Sequence, residues 1–196
     1  YVASETPLSV ICADPVSLEF CCSDIDAEQT ILDAYIAWVA GFSHSGGCNA
    51  SEDGNAPSLP DFVCGTTIDL TYNYSVTDDC GTKTCSSTFK VDIYNDPTVT
   101  VNSFEICPGD ANTITAAPSP SGTYDFAWTV PALFPNPGNV SSFLTGVPGT
   151  YTVVVTDNNG CTKSSTFEIF QPDAYSVSID VVNEYCEGQN GSVLVQ

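Results

Sequence analysis

The chain has 196 residues, 42% of them hydrophobic, which is enough to bury a core and to fill one or two domains. Twenty-four Asp and Glu face only three basic residues, giving a formal net charge of −21, and such a surface repels nucleic-acid phosphates and anionic lipid headgroups. Ten cysteines with a single histidine, His44, and no Cys-x-x-Cys pair argue against zinc and for disulfides, hence for an oxidising, extracellular location.

In chain order, strands are expected near 7–12 and 16–21, followed by a helix over 27–40. Asp26 is placed to cap that helix, with Gln29 at the capping-box position and Gly41 after the last turn. Ile31, Leu32, Tyr35, Ile36 and Val39 form its expected apolar stripe. The Gly-, Ser-, Asn- and Pro-rich span 42–62 reads as a long surface loop, and strands follow near 66–77 and 84–94. Seven cysteines fall in this first part (12, 21, 22, 48, 64, 80 and 85), an odd number, so one is free or pairs outside it. A Cys12–Cys85 bridge, tying first strand to last, is the expected pairing; the others stay open.

Beyond residue 96, strands are expected at 98–106, 112–117, 123–130, 150–156 and 163–170, with a proline-rich loop at 131–138. Tyr124, Phe126, Trp128 and Val130 alternate as one face of a half-buried strand. A Cys107–Cys161 bridge would close a loop of about 55 residues and contribute about 4 kcal/mol by chain entropy.

A repeat organises these elements. Val76-Thr77-Asp78-Asp79-Cys80-Gly81-Thr82-Lys83 recurs as Val155-Thr156-Asp157-Asn158-Asn159-Gly160-Cys161-Thr162-Lys163, each copy a strand, a turn and a Thr/Ser-rich strand, as in a β-hairpin. Proline-marked junctions, Asn95-Asp96-Pro97 and Gln171-Pro172-Asp173, follow each copy. Glu105-Ile106-Cys107-Pro108-Gly109 is echoed by Glu184-Tyr185-Cys186-Glu187-Gly188. The expected organisation is therefore all-β: tandem Ig-like β-sandwiches at 1–95 (with the inserted helix 27–40) and 96–172, and the start of a third, incomplete repeat at 173–196. The absence of a signal peptide fits a mature product or a piece of a longer chain, and no apolar run is long enough to span a bilayer.

The closing run Gly149-Thr150-Tyr151-Thr152-Val153-Val154-Val155-Thr156-Asp157-Asn158-Asn159-Gly160-Cys161, with Gln171-Pro172 after it, resembles the repeats of Bacteroidetes gliding adhesins of the SprB type. Residues 5–95 resemble the HYR-like modules that accompany them, through Ala37-Trp38-Val39-Ala40-Gly41-Phe42-Ser43, Gly46-Gly47-Cys48 and Val76-Thr77-Asp78-Asp79-Cys80-Gly81. The doubled Cys21-Cys22 departs from the pattern, as does Pro118-Ser119-Pro120-Ser121-Gly122-Thr123-Tyr124. The resemblance implies a very large cell-surface or secreted protein exported by the type IX pathway and serving adhesion, gliding or extracellular fibres.

Candidate chemistry is sparse. A His44–Cys48 nucleophile is outweighed by a disulfide-bonded Cys48 beside an exposed histidine. Paired carboxylates such as Asp24/Asp26, Glu52/Asp53 and Asp78/Asp79 read as solvated turns rather than a glycosidase pair. No cofactor is expected beyond calcium, for which Asp96, Asp157 and Asp173 offer hard oxygen donors, although turn geometry explains the same residues. Sequons at Asn49, Asn73, Asn139 and Asn190 would matter in a eukaryotic secretory protein. The expected protein is no enzyme but a structural or adhesive segment, its partners neighbouring repeats, like subunits or surface polysaccharide. The alternatives are a filament subunit assembled by strand complementation, and a carbohydrate-binding module using Trp38 or Tyr94.

Overall fold

A computed structural model describes residues 6–173, 175–177, 179–181 and 193–195. The fold is all-β with a single helix among the described residues: two Ig-like β-sandwich units in tandem. The first comprises residues 1–98 with the segments 120–124 and 156–163, and the second comprises 99–119, 125–155 and 164–196.

The first unit contains β1 (Ser9–Ile11), β2 (Val16–Cys21), α1 (Ala27–Ala40), β3 (Ser43–Ser45), β4 (Ser51–Asp53), β5 (Thr67–Asp78) and β6 (Gly81–Tyr94). Its main sheet has the order β2-β6-β5-β4, while β1 pairs with β3. The long β5–β6 hairpin is its spine, in register from Thr67↔Asp92 to Asp78↔Gly81. On the other side of β6, β2 runs parallel from Val16↔Phe89 to Cys21↔Tyr94. Alternation puts Ile68, Tyr72, Tyr74 and Val76 of β5 and Phe89, Val91 and Ile93 of β6 on the buried face, where α1 covers them.

The helix has the expected bounds, but its local chemistry differs from the expectation. Asp26 occupies the N-cap position at φ 68° and makes no side-chain cap bond. Gln29 Nε2 instead donates to Asp33 Oδ1 at 2.7 Å, so there is no capping box. The buried stripe is Ala27, Ile31 and Trp38, with Leu32 and Ile36 turned outward at 40% and 56% exposure. Ile31, Tyr35 and Val39 of the expected stripe do pack on the core, while Leu32 and Ile36 give way to Trp38, which takes the central place. It packs on Phe42, Tyr72 and Phe89, and its indole Nε1 donates to buried Ser87 Oγ at 3.1 Å. The 42–62 span is not wholly loop either, since β3 and β4 lie within it.

The second unit contains β7 (Thr98–Val101), β8 (Asn112–Ser119), β9 (Asp125–Thr129), β10 (Ser142–Thr145), β11 (Gly149–Thr156), β12 (Thr162–Ile169) and the short pair β13 (Ile179–Val181) and β14 (Val193–Val195). Two sheets, β10-β8-β7 and β12-β11-β9, enclose Ile114, Ala116, Trp128, Tyr151, Val153, Val155 and Ile169. Phe143 of β10 meets Trp128 of β9 edge-on at 4.9 Å between ring centroids, which ties one sheet to the other. The expected alternation from Tyr124 to Val130 is present, with Trp128 the deepest residue. The expected first strand is cut short at Val101 and resumes only as a parallel bridge between Glu105 and Phe170. β10 has no counterpart among the expected strands. The third repeat was expected at 173–196, and residues 174, 178, 182–192 and 196, including Cys186, lie outside the described residues.

Candidate functional site

The chemistry of the first unit is concentrated in its crosslinks. Disulfides join Cys12 to Cys85, Cys22 to Cys64 and Cys21 to Cys161. The doubled Cys21-Cys22 follows from the period of a strand. Side chains two apart share a face, so Cys22 continues the line of Val16, Leu18 and Phe20 and packs with the core. Cys21 points the other way and meets Cys161, which the 156–163 segment carries into this unit. The first seven cysteines are odd in number because Cys21 pairs beyond residue 95.

The expected Cys107–Cys161 bridge does not form. Cys107 is exposed and without a disulfide. Ile106 N donates to Phe170 O at 3.1 Å, fixing Cys107 beside the end of β12, whereas Cys161 precedes the first residue of that strand. Eight residues of strand at about 3.3 Å each separate the two by about 25 Å, far beyond the roughly 7 Å between Cα atoms that a disulfide spans.

The turn that presents Cys161 is organised by Asp157, whose Oδ1 accepts from Asn159 N and Cys161 N, both at 2.9 Å. The same device recurs in the β5–β6 hairpin, where Asp78 Oδ1 accepts from Cys80 N at 2.9 Å. Asp96 accepts from Ser23 N at 3.3 Å and Ser23 Oγ at 2.9 Å. Its carboxylate, Cys21 Sγ and Cys161 Sγ lie within 4.8 Å of one another, but sulfurs joined in a disulfide are not thiolate ligands. Asp173 is exposed. Asp96, Asp157 and Asp173 are not gathered into one donor set: among the described residues the cluster of three ligand-type groups is this disulfide with Asp96.

A second constellation sits where β3 and β4 meet β5. Tyr74 OH donates to Glu52 Oε1 at 2.7 Å, and His44 Nδ1 lies 3.0 Å from the Tyr74 oxygen and 3.3 Å from Glu52 Oε1. The one hydroxyl proton is committed to Glu52, so Nδ1 of His44 is the donor. Burial, reinforced by the hydrogen bond to Glu52, pushes the Tyr74 hydroxyl up to about 12. His44 is therefore half-buried and engaged rather than exposed, and its Nδ1 faces Tyr74 and Glu52, not a Cys48 nucleophile. Cys48 lends its carbonyl to Asp79 N at 3.0 Å.

The two aromatic residues considered for sugar binding differ in exposure. Trp38 is 2% exposed, and Tyr94 is half-buried, its hydroxyl raised by desolvation and by nearby Glu19. Among the described residues, no helix is long and apolar enough to cross a membrane.

No protein-family model matches the chain, and no curated protein matches it. Solved structures do. A titin I-band fragment, I67–I69, is 13% identical with a TM-score of 0.40, covering 85% of this chain and 66% of its own. Extracellular domains 3–5 of Drosophila OTK are 13% identical with a TM-score of 0.38, covering 86% of this chain and 63% of their own. Four N-terminal Ig domains of a Dscam1 isoform are 9% identical with a TM-score of 0.30, covering 53% and 27%. The chain spans less than two-thirds of the length of each of these structures.

Proposed function

We propose that this chain is a load-bearing structural and adhesive segment of a large extracellular or cell-surface bacterial protein of the gliding-adhesin or fibre type. The observation that carries the reading is the Cys21–Cys161 disulfide, which closes 140 residues of sequence into one covalent loop. On the chain-entropy model such a loop stabilises by about 5 kcal/mol. Its greater effect is mechanical: tension entering at β2 passes through one S–S bond to the start of β12 without loading the ladders between. Disulfides of this kind persist in oxidising surroundings, which supports a place outside the cytosol. A coat of 24 acidic groups keeps neighbouring strands of an extended protein from collapsing together. Recognition therefore falls to surfaces and to neighbouring repeats rather than to a reacting centre.

Antibodies raised against the chain test the location. Labelling of intact, unpermeabilised source cells is the expected result, and labelling that appears only after permeabilisation sinks the proposal. Strand complementation between subunits has less support, because β13 pairs with β14, from Ile179↔Val195 to Val181↔Val193, inside the segment proposed to be donated.

A further inference from the structure

The loop before β4 is held between two other segments of the first unit. Gly47 N donates to Thr6 O at 2.9 Å, and Gly46 and Gly47 take φ of 72° and 79°. A β-carbon on Gly46 would stand 2.4 Å from Pro7 O, and one on Gly47 would stand 3.0 Å from Asp78 Oδ2. Two bare residues thus let the loop pass close to residues 6–7 on one side and the end of β5 on the other. Cys48 comes next.

Its position across from Cys80 follows from the ladder. β4 pairs with β5 from Asp53↔Ser75 to Ser51↔Thr77, and the same register carried three residues further sets Cys48 against Cys80. Asn49 takes up one residue on the way, in the left-handed conformation at φ 55°. Asp79 N consequently donates to Cys48 O at 3.0 Å, and Asn49 Nδ2 donates to Asp79 Oδ2 at 2.8 Å. Cys48 is therefore fixed opposite Asp79, the residue before Cys80. Cys80 is held in turn through its amide, which donates to Asp78 Oδ1 at 2.9 Å. Cross-strand neighbours stand about 4.5–5.5 Å apart at Cα, within the roughly 4.4–6.8 Å that a disulfide spans. Both cysteines line one cavity of about 480 Å³, with Thr6, Leu8, Asp78 and Lys83 around them. Both are thiols there, Cys80 exposed and Cys48 half-buried. Stepwise oxidation needs that asymmetry: an outer thiol to meet the oxidant and an inner one to resolve the mixed disulfide.

We infer that Cys48 and Cys80 are a dithiol pair that closes to a disulfide, with a small-molecule disulfide as its oxidant. The Cys80 thiolate attacks one sulfur of the oxidant, forming a mixed disulfide and releasing one thiol. The Cys48 thiolate then attacks the Cys80 sulfur, forming the Cys48–Cys80 bond and releasing the second thiol. One disulfide is consumed and one is formed, and the two protons leave on the released thiols. The new bond ties the tip of the β5–β6 hairpin to the loop before β4. With it, the seven cysteines before residue 95 and Cys161 are all joined in pairs within the first unit.

The test incubates the full chain with oxidised glutathione, blocks remaining thiols with iodoacetamide and maps the digest by mass spectrometry without reductant. The expected result in the wild type is a linked pair of peptides carrying Cys48 and Cys80. In Cys48→Ser the resolving thiol is gone, so glutathione stays on Cys80. Its occupancy there should exceed that on Cys48 in Cys80→Ser by at least about tenfold. The other three disulfides, read in the same digests, show that both variants keep the fold. Wild-type chain in which Cys48 and Cys80 are alkylated or glutathionylated without a link overturns the inference, as does a link from either to a different cysteine. Equal glutathionylation of the two variants overturns the assigned order of attack. Each of these results leaves the load-bearing reading standing, since that rests on Cys21–Cys161.

Discussion

Replacing Cys161 by Ser should more than double the length to which the oxidised chain can be pulled. With handles at the two termini and the disulfides intact, the shortest covalent path runs from residue 1 to Cys21, across to Cys161 and on to residue 196. That path holds about 57 residues, or about 200 Å at ~3.5 Å per extended residue. In Cys161→Ser the next shortest path crosses Cys12–Cys85 and holds about 124 residues, or about 430 Å. Full reduction frees all 196 residues, about 690 Å. Single-molecule force spectroscopy in oxidising buffer reads these contour lengths directly. The variant should gain about 230 Å, released from the residues the loop had shielded. Equal contour lengths for wild type and variant would refute the covalent bypass and, with it, the load-bearing reading.

Three further outcomes follow from the first unit. Trp38→Ala should cost about 3–5 kcal/mol in urea denaturation, since it empties the centre of the aromatic cluster and strands the Ser87 hydroxyl; a loss below about 1 kcal/mol would show that α1 is not anchored there. Asp26→Gly should stabilise by about 0.5–1 kcal/mol, because the aspartate holds a left-handed backbone without a compensating cap bond; destabilisation would reveal an unseen role for its carboxylate. Tyr74 has its hydroxyl pushed up to about 12 in the fold against about 10 unfolded. Its contribution is fully present below pH 10 and is lost as pH climbs toward 12, because the unfolded chain releases the proton first. Tyrosinate absorbance should show a late step that Tyr74→Phe removes, and a titration unchanged by that substitution would contradict the assignment.

Much of the fold was legible because strand alternation is a strong signal. The even residues from Ile68 to Val76 and the odd ones from Phe89 to Ile93 announce one buried face of a hairpin, and Asp-Gly-type turns announce its tip. Helix bounds were equally plain, yet the helix face was not. The stripe Ile31, Leu32, Tyr35, Ile36 and Val39 leaves out Trp38, whose size lets it reach four aromatic rings and whose indole proton needs Ser87 from a distant strand. The helix cap failed for a related reason: the box residue Gln29 found a nearer partner, Asp33, one turn along.

The site was harder to read. Cys12–Cys85 follows from tying first strand to last, and the structure pairs those residues. The partner of Cys161 is not legible because neighbours in repeat order need not be neighbours in space, and the length of β12 keeps Cys107 away from it. The usable signal was the doublet at Cys21-Cys22. Adjacent residues of a strand face opposite ways, so two neighbouring disulfides from one strand end must go to different places, and one of them had to leave the sheet's inner face.

The scarcity of cations has a consequence for proteolysis. Trypsin-like enzymes find only Lys83, Lys90 and Lys163 in 196 residues. All three lie within paired strands, the first two in β6 and the third in β12, where the backbone is committed to neighbours rather than free to enter a protease cleft. Cleavage after Lys83 and Lys90 would still not take the first unit apart: Cys12–Cys85 retains the excised heptapeptide, and Cys21–Cys161 retains everything from Val91 to Lys163. A protein with this arrangement can be nicked after Lys83 and Lys90 and go on holding its first unit together.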